Sequence, residues 1–193
     1  DLAYLRPVPN LVISSPLNEL DLRNLMYTGY KENNGPFVIR YPRGKGEMAD
    51  WRNEMHVLPI GKGKKLRDGD DIAILSLGPI GNEVIKAIKE IEGDGISIAH
   101  YDMIYLKPMD EELLHEVGKK FSRIITVENG VIRGGLGSAV LEFMADNGYT
   151  PKIKRIGVPD EFVEHGPISE LYKLCGMDAK CIAEEIKKMV IGG

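Results

Sequence analysis

From residue 71 onward, short apolar runs alternate with longer segments whose apolar residues recur at helical spacing. The predicted strands cover 71–77, 96–102, 123–128 and 152–157. The predicted helices cover 81–92, 110–117 and 135–147 and are followed by two terminal helices, with Asp110 and Asp178 as N-caps. Strands and helices that alternate in this way build a doubly wound α/β domain with a mostly parallel sheet and helices on both faces.

The segment 58–66 precedes this alternation and is followed by the turn sequence Asp68-Gly69-Asp70. A turn of this kind before the strand 71–77 predicts a hairpin, whose first strand would join the sheet antiparallel and make it mixed. Four cations lie on or beside this segment: Lys62, Lys64, Lys65 and Arg67. They could form a basic patch, but an exposed edge strand protected from aggregation is the favoured interpretation.

Residues 1–45 show a shorter version of the same alternation. Leu11-Val12-Ile13 predicts a buried strand, and Ser15-Pro16 predicts the start of a helix that reaches about Thr28. The run 37–41 predicts a second strand, parallel to the first. Two strands and one helix cannot bury a core, so we expect this segment to close a larger α/β domain that lies upstream.

The domain organisation follows from these patterns. The polar residues around Trp51 in the segment 46–57 predict a linker between a first part, 1–45, and a second domain, 58–193. A chain that begins Asp1-Leu2-Ala3 and runs straight into core-like sequence is expected to be part of a longer protein.

Composition limits the classes of partner. The net charge of −4 and the pI near 5.7 argue against nucleic acid or an anionic membrane as the main partner. No run approaches the roughly 20 apolar residues of a membrane span, and the N-terminus lacks the pattern of a signal peptide, so we expect a cytoplasmic protein. Cys175 and Cys181 are too few for a disulfide framework and are interpreted as reduced thiols in the core.

The strongest candidate for ligand binding is the sequence Arg40-Tyr41-Pro42-Arg43-Gly44, which follows the apolar run at 37–39. Pro42 fixes its own φ and favours an extended Tyr41, while Gly44 allows a sharp turn, so Arg43 should project from a stiff bend. A guanidinium suits a phosphate or a carboxylate group. From these residues alone, a ligand and a surface carboxylate are equally good partners for Arg43.

Other motifs are weaker candidates. The glycine-rich sequence 134–138 opens a helix and could present amides to an anion, but it lacks the nucleotide-binding pattern, so close packing of helix on sheet is favoured. The four histidines His56, His100, His115 and His165 have no metal-ligand spacing, so no metal site is expected. His165, in a loop, is more typical of a solvated side chain or a cap than of a catalytic group.

The chain resembles the 1-deoxy-D-xylulose-5-phosphate synthase family, which are thiamine-diphosphate enzymes of the transketolase superfamily. The resemblance covers essentially the whole chain and rests on the order and spacing of several segments. These are 1–10, 27–30, 35–36, 39–44, 58–63, 106–110, 126–128, 134–138 and 157–160. The Arg-Tyr-Pro-Arg sequence also occurs in β subunits of 2-oxoacid dehydrogenases, whereas the segments 1–10 and 58–63 favour the synthases.

The resemblance implies a fold and a reaction. Residues 1–45 would end a thiamine-diphosphate pyrimidine-binding domain, and 58–193 would form a transketolase C-terminal domain that contributes to a homodimer. The family transfers a two-carbon unit from pyruvate to glyceraldehyde 3-phosphate with loss of CO₂, which yields a precursor of isoprenoids, thiamine and pyridoxal. A 2-oxoacid dehydrogenase β subunit, a transketolase and a non-catalytic assembly module remain alternatives.

The resemblance also implies residue roles. Arg43 matches the arginine that binds the phosphate of the acceptor, and Tyr41 and Arg40 would support it. Thiamine diphosphate and Mg²⁺ would be bound by domains upstream of Asp1, so this chain would carry no catalytic, cofactor-binding or metal-binding residue. We therefore expect the chain alone to bind neither cofactor and to be inactive.

Overall fold

The computed structural model describes residues 1–32, 35–44, 46 and 51–192 of the chain. Its strands are β1 (Val12–Ser14), β2 (Phe37–Ile39), β3 (Lys64–Arg67), β4 (Ile72–Leu77), β5 (Ile98–Asp102), β6 (Tyr105–Lys107), β7 (Arg123–Val131) and β8 (Lys152–Val158). Its α-helices are α1 (Leu2–Leu5), α2 (Glu19–Glu32), α3 (Gly81–Glu90), α4 (Glu111–Lys120), α5 (Leu136–Asp146), α6 (Ile168–Leu174) and α7 (Ala179–Ile191). The predicted alternation after residue 71 is confirmed.

The larger sheet has the strand order β3-β5-β4-β7-β8, in which all neighbouring pairs are parallel except β3 with β5. A mixed, mostly parallel sheet is therefore confirmed. The predicted hairpin is wrong, because β3 pairs with β5 in the register Lys64↔Asp102 rather than with β4. Strand β4 is buried along its whole length and both of its sides are taken by β5 and β7, so the charged β3 occupies the edge.

Helices cover both faces of this sheet because successive side chains of β4 point to opposite faces. Ala73, Leu75 and Leu77 pack with the apolar stripes of α4 and α5. Ile72 and Ile74 pack on the other face with those of α3 and α7. The two faces form separate buried clusters, which accounts for the uninterrupted apolar run of the strand.

A smaller sheet has the order β2-β1-β6, in which β1 is parallel to β2 and antiparallel to β6. Sequence patterns did not predict β6, which lies within the segment 58–193 yet pairs with the N-terminal strands. The chain passes from β5 to β6 through Met103 and Ile104, and Ile104 has a φ of 55°, an uncommon value for a β-branched residue. This short connection joins the two sheets.

Helix α2 differs from its prediction at both ends. The side chain of Asn18 accepts a hydrogen bond from the Asp21 amide at 2.9 Å and caps the helix. Ser15 does not cap it, because its buried hydroxyl donates to the carbonyl of Arg40 at 2.8 Å. The helix continues past Thr28 to Glu32 and packs Gly29 against the ring of Phe37.

The predicted linker is in contact with α2 where the structure describes it, and its residues 47–50 lie outside the described part. The Arg23 guanidinium donates to the carbonyls of Trp51 and Asn53 at 3.1 and 2.8 Å. The Leu58 amide donates to Thr28 Oγ1 at 2.8 Å. Residues 51–58 therefore lie along α2 and are fixed to it by hydrogen bonds.

Two predicted N-caps are confirmed. The carboxylates of Asp110 and Asp178 accept hydrogen bonds from the amides of Leu113 and Cys181, each at 3.1 Å. Cys175 and Cys181 are free, half-buried thiols. Within the described residues, no helix combines the length and the apolar character needed to cross a membrane.

Candidate functional site

Arg43 lies on the bend after β2 and lines a cavity of about 330 Å³, here called the Arg43 cavity. Tyr41, Pro42 and Gly44 of the same bend also line it. Arg40 does not, because its half-buried side chain lines a second cavity of about 260 Å³ together with Glu128 and Asn129. The structure thus brings Tyr41 to the cavity of Arg43 and places Arg40 in the neighbouring one, here called the Glu128 cavity.

The start of the bend is fixed by two buried serines. The Arg40 amide donates to the Ser14 carbonyl at 2.9 Å, and the Ser15 hydroxyl donates to the Arg40 carbonyl at 2.8 Å. The Ser14 hydroxyl donates to the carbonyl of Val38 at 3.0 Å. Because the N–H of Arg40 is held by β1 and its carbonyl by Ser15, which directly follows β1, the residues after Arg40 leave the sheet in a defined direction.

Three helices complete the Arg43 cavity. The residues are Leu17, Asn18, Glu19 and Leu22 at the start of α2, Pro79, Asn82 and Glu83 at the start of α3, and Ile168 and Tyr172 on α6. The side-chain amide of Asn82 donates to the Leu17 carbonyl at 3.1 Å, which ties the starts of α2 and α3 together. Glu83 accepts from the Ala179 amide at 3.1 Å and pairs with Lys86 at 2.7 Å.

The Arg43 cavity combines one guanidinium with a largely apolar wall and with two carboxylates, Glu19 and Glu83. Arg43 is exposed at its rim, while most of the remaining wall consists of aliphatic, proline and tyrosine side chains. A guanidinium beside an apolar surface favours a ligand with one anionic end and an uncharged remainder. Sequence patterns pointed to Arg43 but not to α3 or α6, whose residues reach the cavity only through the tertiary fold.

The Glu128 cavity contains a buried carboxyl group of the chain itself. The buried Glu128 carboxylate accepts hydrogen bonds from the amides of Leu136 and Gly137, each at 2.9 Å. Burial raises the pKa of Glu128, and these two backbone hydrogen bonds partly oppose that rise. Burial also lowers the pKa of the Arg40 guanidinium, an effect that Tyr172 opposes.

The glycine-rich sequence 134–138 therefore has a partner within the chain. Two amides that could have faced a phosphate are bound to Glu128, and a Cβ on Gly135 would lie 1.8 Å from its Oε2 atom. A Cβ on Gly137 would lie 2.7 Å from the Arg155 side chain and 2.8 Å from Thr126 Oγ1. These contacts favour the interpretation that the glycines permit close packing of α5 on the sheet.

The histidines do not converge. His100 is buried on β5, its Nε2 atom lies 2.8 Å from the Ser76 hydroxyl, and burial lowers its pKa to about 4. His115 contacts the Tyr149 hydroxyl at 2.9 Å, and His165 is exposed in the loop before α6. In the part of the chain that the structure describes, no three histidine, cysteine or carboxylate side chains are arranged to bind a metal.

The basic segment around β3 is neutralised by carboxylates. Lys62 pairs with Glu112 at 2.5 Å, Lys65 with Glu116 at 2.9 Å and Arg67 with Glu92 at 3.3 Å. Since β3 is also an edge strand, this arrangement supports the interpretation as a protected edge rather than a polyanion site.

The chain matches one family model and several proteins of known name. Residues 61–182 match the family model of the transketolase C-terminal domain. The chain is 80% identical over 188 residues to a 1-deoxy-D-xylulose-5-phosphate synthase of Parabacteroides distasonis, and 59% identical over 189 residues to the synthase of Bacteroides fragilis. Each alignment covers 97% of this chain but only 30% and 29% of those proteins.

Two solved structures share the fold. A split-gene transketolase, described as an inactive β4 tetramer, superposes with a TM-score of 0.86 at 30% identity, over 98% of this chain and 60% of that one. A mutant transketolase from Pichia stipitis superposes with a TM-score of 0.65 at 19% identity, over 99% of this chain and 27% of that one. The second likeness concerns the fold alone. The chain thus spans about 30% of the length of the curated relatives that it matches.

Proposed function

The chain belongs to the transketolase C-terminal domain family, and from this we propose that it is the C-terminal part of a 1-deoxy-D-xylulose-5-phosphate synthase. The observation that carries the proposal is the 80% identity, over 97% of the chain, to a protein of that name. The complete enzyme is a cytoplasmic transferase of two-carbon units. It condenses pyruvate with glyceraldehyde 3-phosphate, releases CO₂ and forms a precursor of isoprenoids, thiamine and pyridoxal.

In this proposal Arg43 binds the phosphate of glyceraldehyde 3-phosphate. Its place at the rim of a small, largely apolar cavity supports the role, because the acceptor has one dianionic end and a short uncharged carbon chain. Tyr41 lines the same cavity and supports the bend. Arg40 acts from the neighbouring cavity, where its backbone anchors the start of the bend on β1.

The cofactor belongs to a different part of the enzyme. Thiamine diphosphate with Mg²⁺ supplies the carbanion chemistry of this family, and the described residues offer no cluster of carboxylates that would fit the metal. Because the chain spans only about 30% of the length of its relatives, the proposal assigns the cofactor to upstream domains of the same polypeptide. It also includes a homodimer to which the C-terminal domain contributes contacts.

The chain alone should bind neither thiamine diphosphate nor pyruvate, because the proposed cofactor-binding residues lie outside it. Calorimetric titration of the chain with the cofactor, in the presence of Mg²⁺, is expected to show no saturable heat. The full-length protein, titrated under the same conditions, is the positive control. Micromolar binding to the chain would contradict the assignment of the cofactor to upstream domains.

The reaction itself distinguishes the proposal from its alternatives. The full-length protein, supplied with pyruvate, thiamine diphosphate and Mg²⁺, is expected to form product with glyceraldehyde 3-phosphate and none with lipoamide as acceptor. Product formation is measured by the release of CO₂ and by chromatography of the sugar phosphate. Turnover with lipoamide instead would favour a 2-oxoacid dehydrogenase β subunit, and inactivity with both acceptors would favour a non-catalytic assembly module.

A further inference from the structure

Helix α6 brings a second part of the chain to the Arg43 cavity. Ile168 and Tyr172 on this helix line the same cavity as Arg43, although they lie more than a hundred residues away in sequence. The resemblance to the synthases predicted no role at this site for the domain from residue 58 onward. The structure therefore adds α6 to the elements that form the candidate site.

Tyr172 is held in one orientation. Its hydroxyl accepts a hydrogen bond from the Asn129 side-chain amide at 3.0 Å, and its ring packs against the buried cluster between the sheet and α7. Asn129 directly follows Glu128, whose carboxylate holds the first turn of α5. The ring is thus fixed to the end of β7, and a fixed ring can define the size of a cavity better than a mobile one.

Beside Arg43 and the two tyrosines, the polar side chains of the lining are Asn18, Glu19, Asn82 and Glu83, and the rest of the lining offers an apolar surface for the uncharged part of a ligand. The side-chain amide of Asn82 donates to the Leu17 carbonyl, and the Glu83 carboxylate binds the Ala179 amide and Lys86. Leu17, Leu22, Pro79, Ile168 and the ring of Tyr172 form the apolar lining. At about 330 Å³ the cavity lies at the lower end of the range for small-molecule sites, so it suits a short ligand.

We propose that Tyr172 is a specificity-determining residue of the acceptor site, whose ring limits the length of the phosphorylated aldehyde that Arg43 binds. This inference rests on the proposed function. In this proposal the phosphate binds Arg43, the carbon chain of a three-carbon acceptor lies against the apolar wall, and the Tyr172 ring excludes a longer chain. Removal of the ring weakens the contact with the short acceptor and makes room for a longer one.

The test compares acceptors of three and four carbons in the full-length enzyme. Tyr172→Ala is expected to raise the KM for glyceraldehyde 3-phosphate about tenfold, and to lower the ratio of kcat/KM for this acceptor over erythrose 4-phosphate by about tenfold. The KM for pyruvate should stay unchanged. Tyr172→Phe, which keeps the ring, should hold the ratio within about twofold of the parent enzyme.

Two further variants keep the result interpretable. Tyr30→Ala removes an exposed tyrosine of α2 that lies outside the cavity lining, and it should leave the ratio unchanged. Ile168→Ala removes a half-exposed side chain of the same wall. It should lower the ratio in the same direction, and it decides the test if Tyr172→Ala does not fold.

The outcomes distinguish a failure of the role of Tyr172 from a failure of the proposed function. An unchanged acceptor ratio in folded Tyr172→Ala, or equal losses for pyruvate and both acceptors, would overturn the role of Tyr172. If Arg43→Ala impairs only the acceptor while Tyr172→Ala changes nothing, the proposed function stands and this inference falls. If the parent enzyme forms no product from glyceraldehyde 3-phosphate, the proposed function itself falls.

Discussion

Replacement of Arg43 by alanine in the full-length enzyme is expected to raise the KM for glyceraldehyde 3-phosphate far more than the KM for pyruvate. The variant loses a charge-assisted contact between a guanidinium and a phosphate, which is worth on the order of 2 to 4 kcal/mol. That loss corresponds to roughly a 30-fold to 1000-fold change, since about 1.4 kcal/mol equals a factor of ten. Steady-state kinetics in which each substrate is varied in turn measures the two KM values.

Two matched variants define what Arg43 contributes. Arg43→Lys keeps the charge but not the planar pair of donors, so its KM for the acceptor should lie between those of the parent and the alanine variant. Arg67→Ala removes a surface arginine of β3 that pairs with Glu92, and it should leave both KM values unchanged. Equal increases for pyruvate and the acceptor in Arg43→Ala would show that Arg43 supports the structure rather than the acceptor.

Local patterns predicted the elements of the larger sheet because each one has its own signal. The apolar run of β4 indicates a strand buried on both faces, and the Asp110 and Asp178 caps mark the starts of α4 and α7. The partner of β3 has no such local signal, since pairing with β5 depends on which edge of the sheet remains open. The strand β6 is three residues long, too short for a period to be recognised.

The errors at α2 show how tertiary contacts override a local pattern. Ser15-Pro16 is a favourable helix start, but the Ser15 hydroxyl binds the Arg40 carbonyl instead, and Asn18 caps the helix one turn later. The displaced serine is part of the candidate site, because it anchors the bend that carries Arg43. Ser15, where the helix-start pattern failed, is thus a position that supports the Arg43 cavity.

Of the candidate site, the sequence predicted Arg43 but not Tyr172. Arg43 stands in a contiguous motif whose proline and glycine define a bend, so its position could be inferred from five residues. Tyr172 lies on a short amphipathic helix, where a tyrosine is typical of any half-buried surface. Its role depends on the packing of α6 beside the bend that carries Arg43. Because that bend is distant in sequence, no spacing of residues along the chain indicates the contact.

A buried carboxyl group lies where the two sheets meet. Asp102 is 1% exposed at the end of β5, and its Oδ1 atom accepts a hydrogen bond from the Ile104 amide at 3.2 Å. Burial raises the pKa of Asp102 to about 7. The nearby charge of Asp21 also raises this pKa, whereas the Ile104 hydrogen bond and the charge of Lys64 lower it. In the unfolded chain the group has an ordinary pKa of about 3.9.

Asp102→Asn is therefore expected to make the folded chain more stable at neutral and alkaline pH. Because the folded pKa is raised, the favourable contribution of Asp102 is present below about pH 4 and is lost as the pH rises through about 7. Asparagine stays neutral and keeps an oxygen to accept from the Ile104 amide. The advantage of the variant should grow by up to 1.4 kcal/mol per pH unit and reach on the order of 2 to 4 kcal/mol at pH 8.

Urea unfolding of the parent chain and of Asp102→Asn at pH 5, 6, 7 and 8 measures this difference in the free energy of unfolding. His100 also titrates with folding, since its lowered pKa reduces stability as the pH falls below about 6.5. Both proteins contain His100, so its effect cancels in the difference. Asp146→Asn, at an exposed position on α5, should change stability by less than about 0.5 kcal/mol at each pH. A difference between parent and Asp102→Asn that does not vary with pH would show that Asp102 is ionised in the folded chain throughout this range.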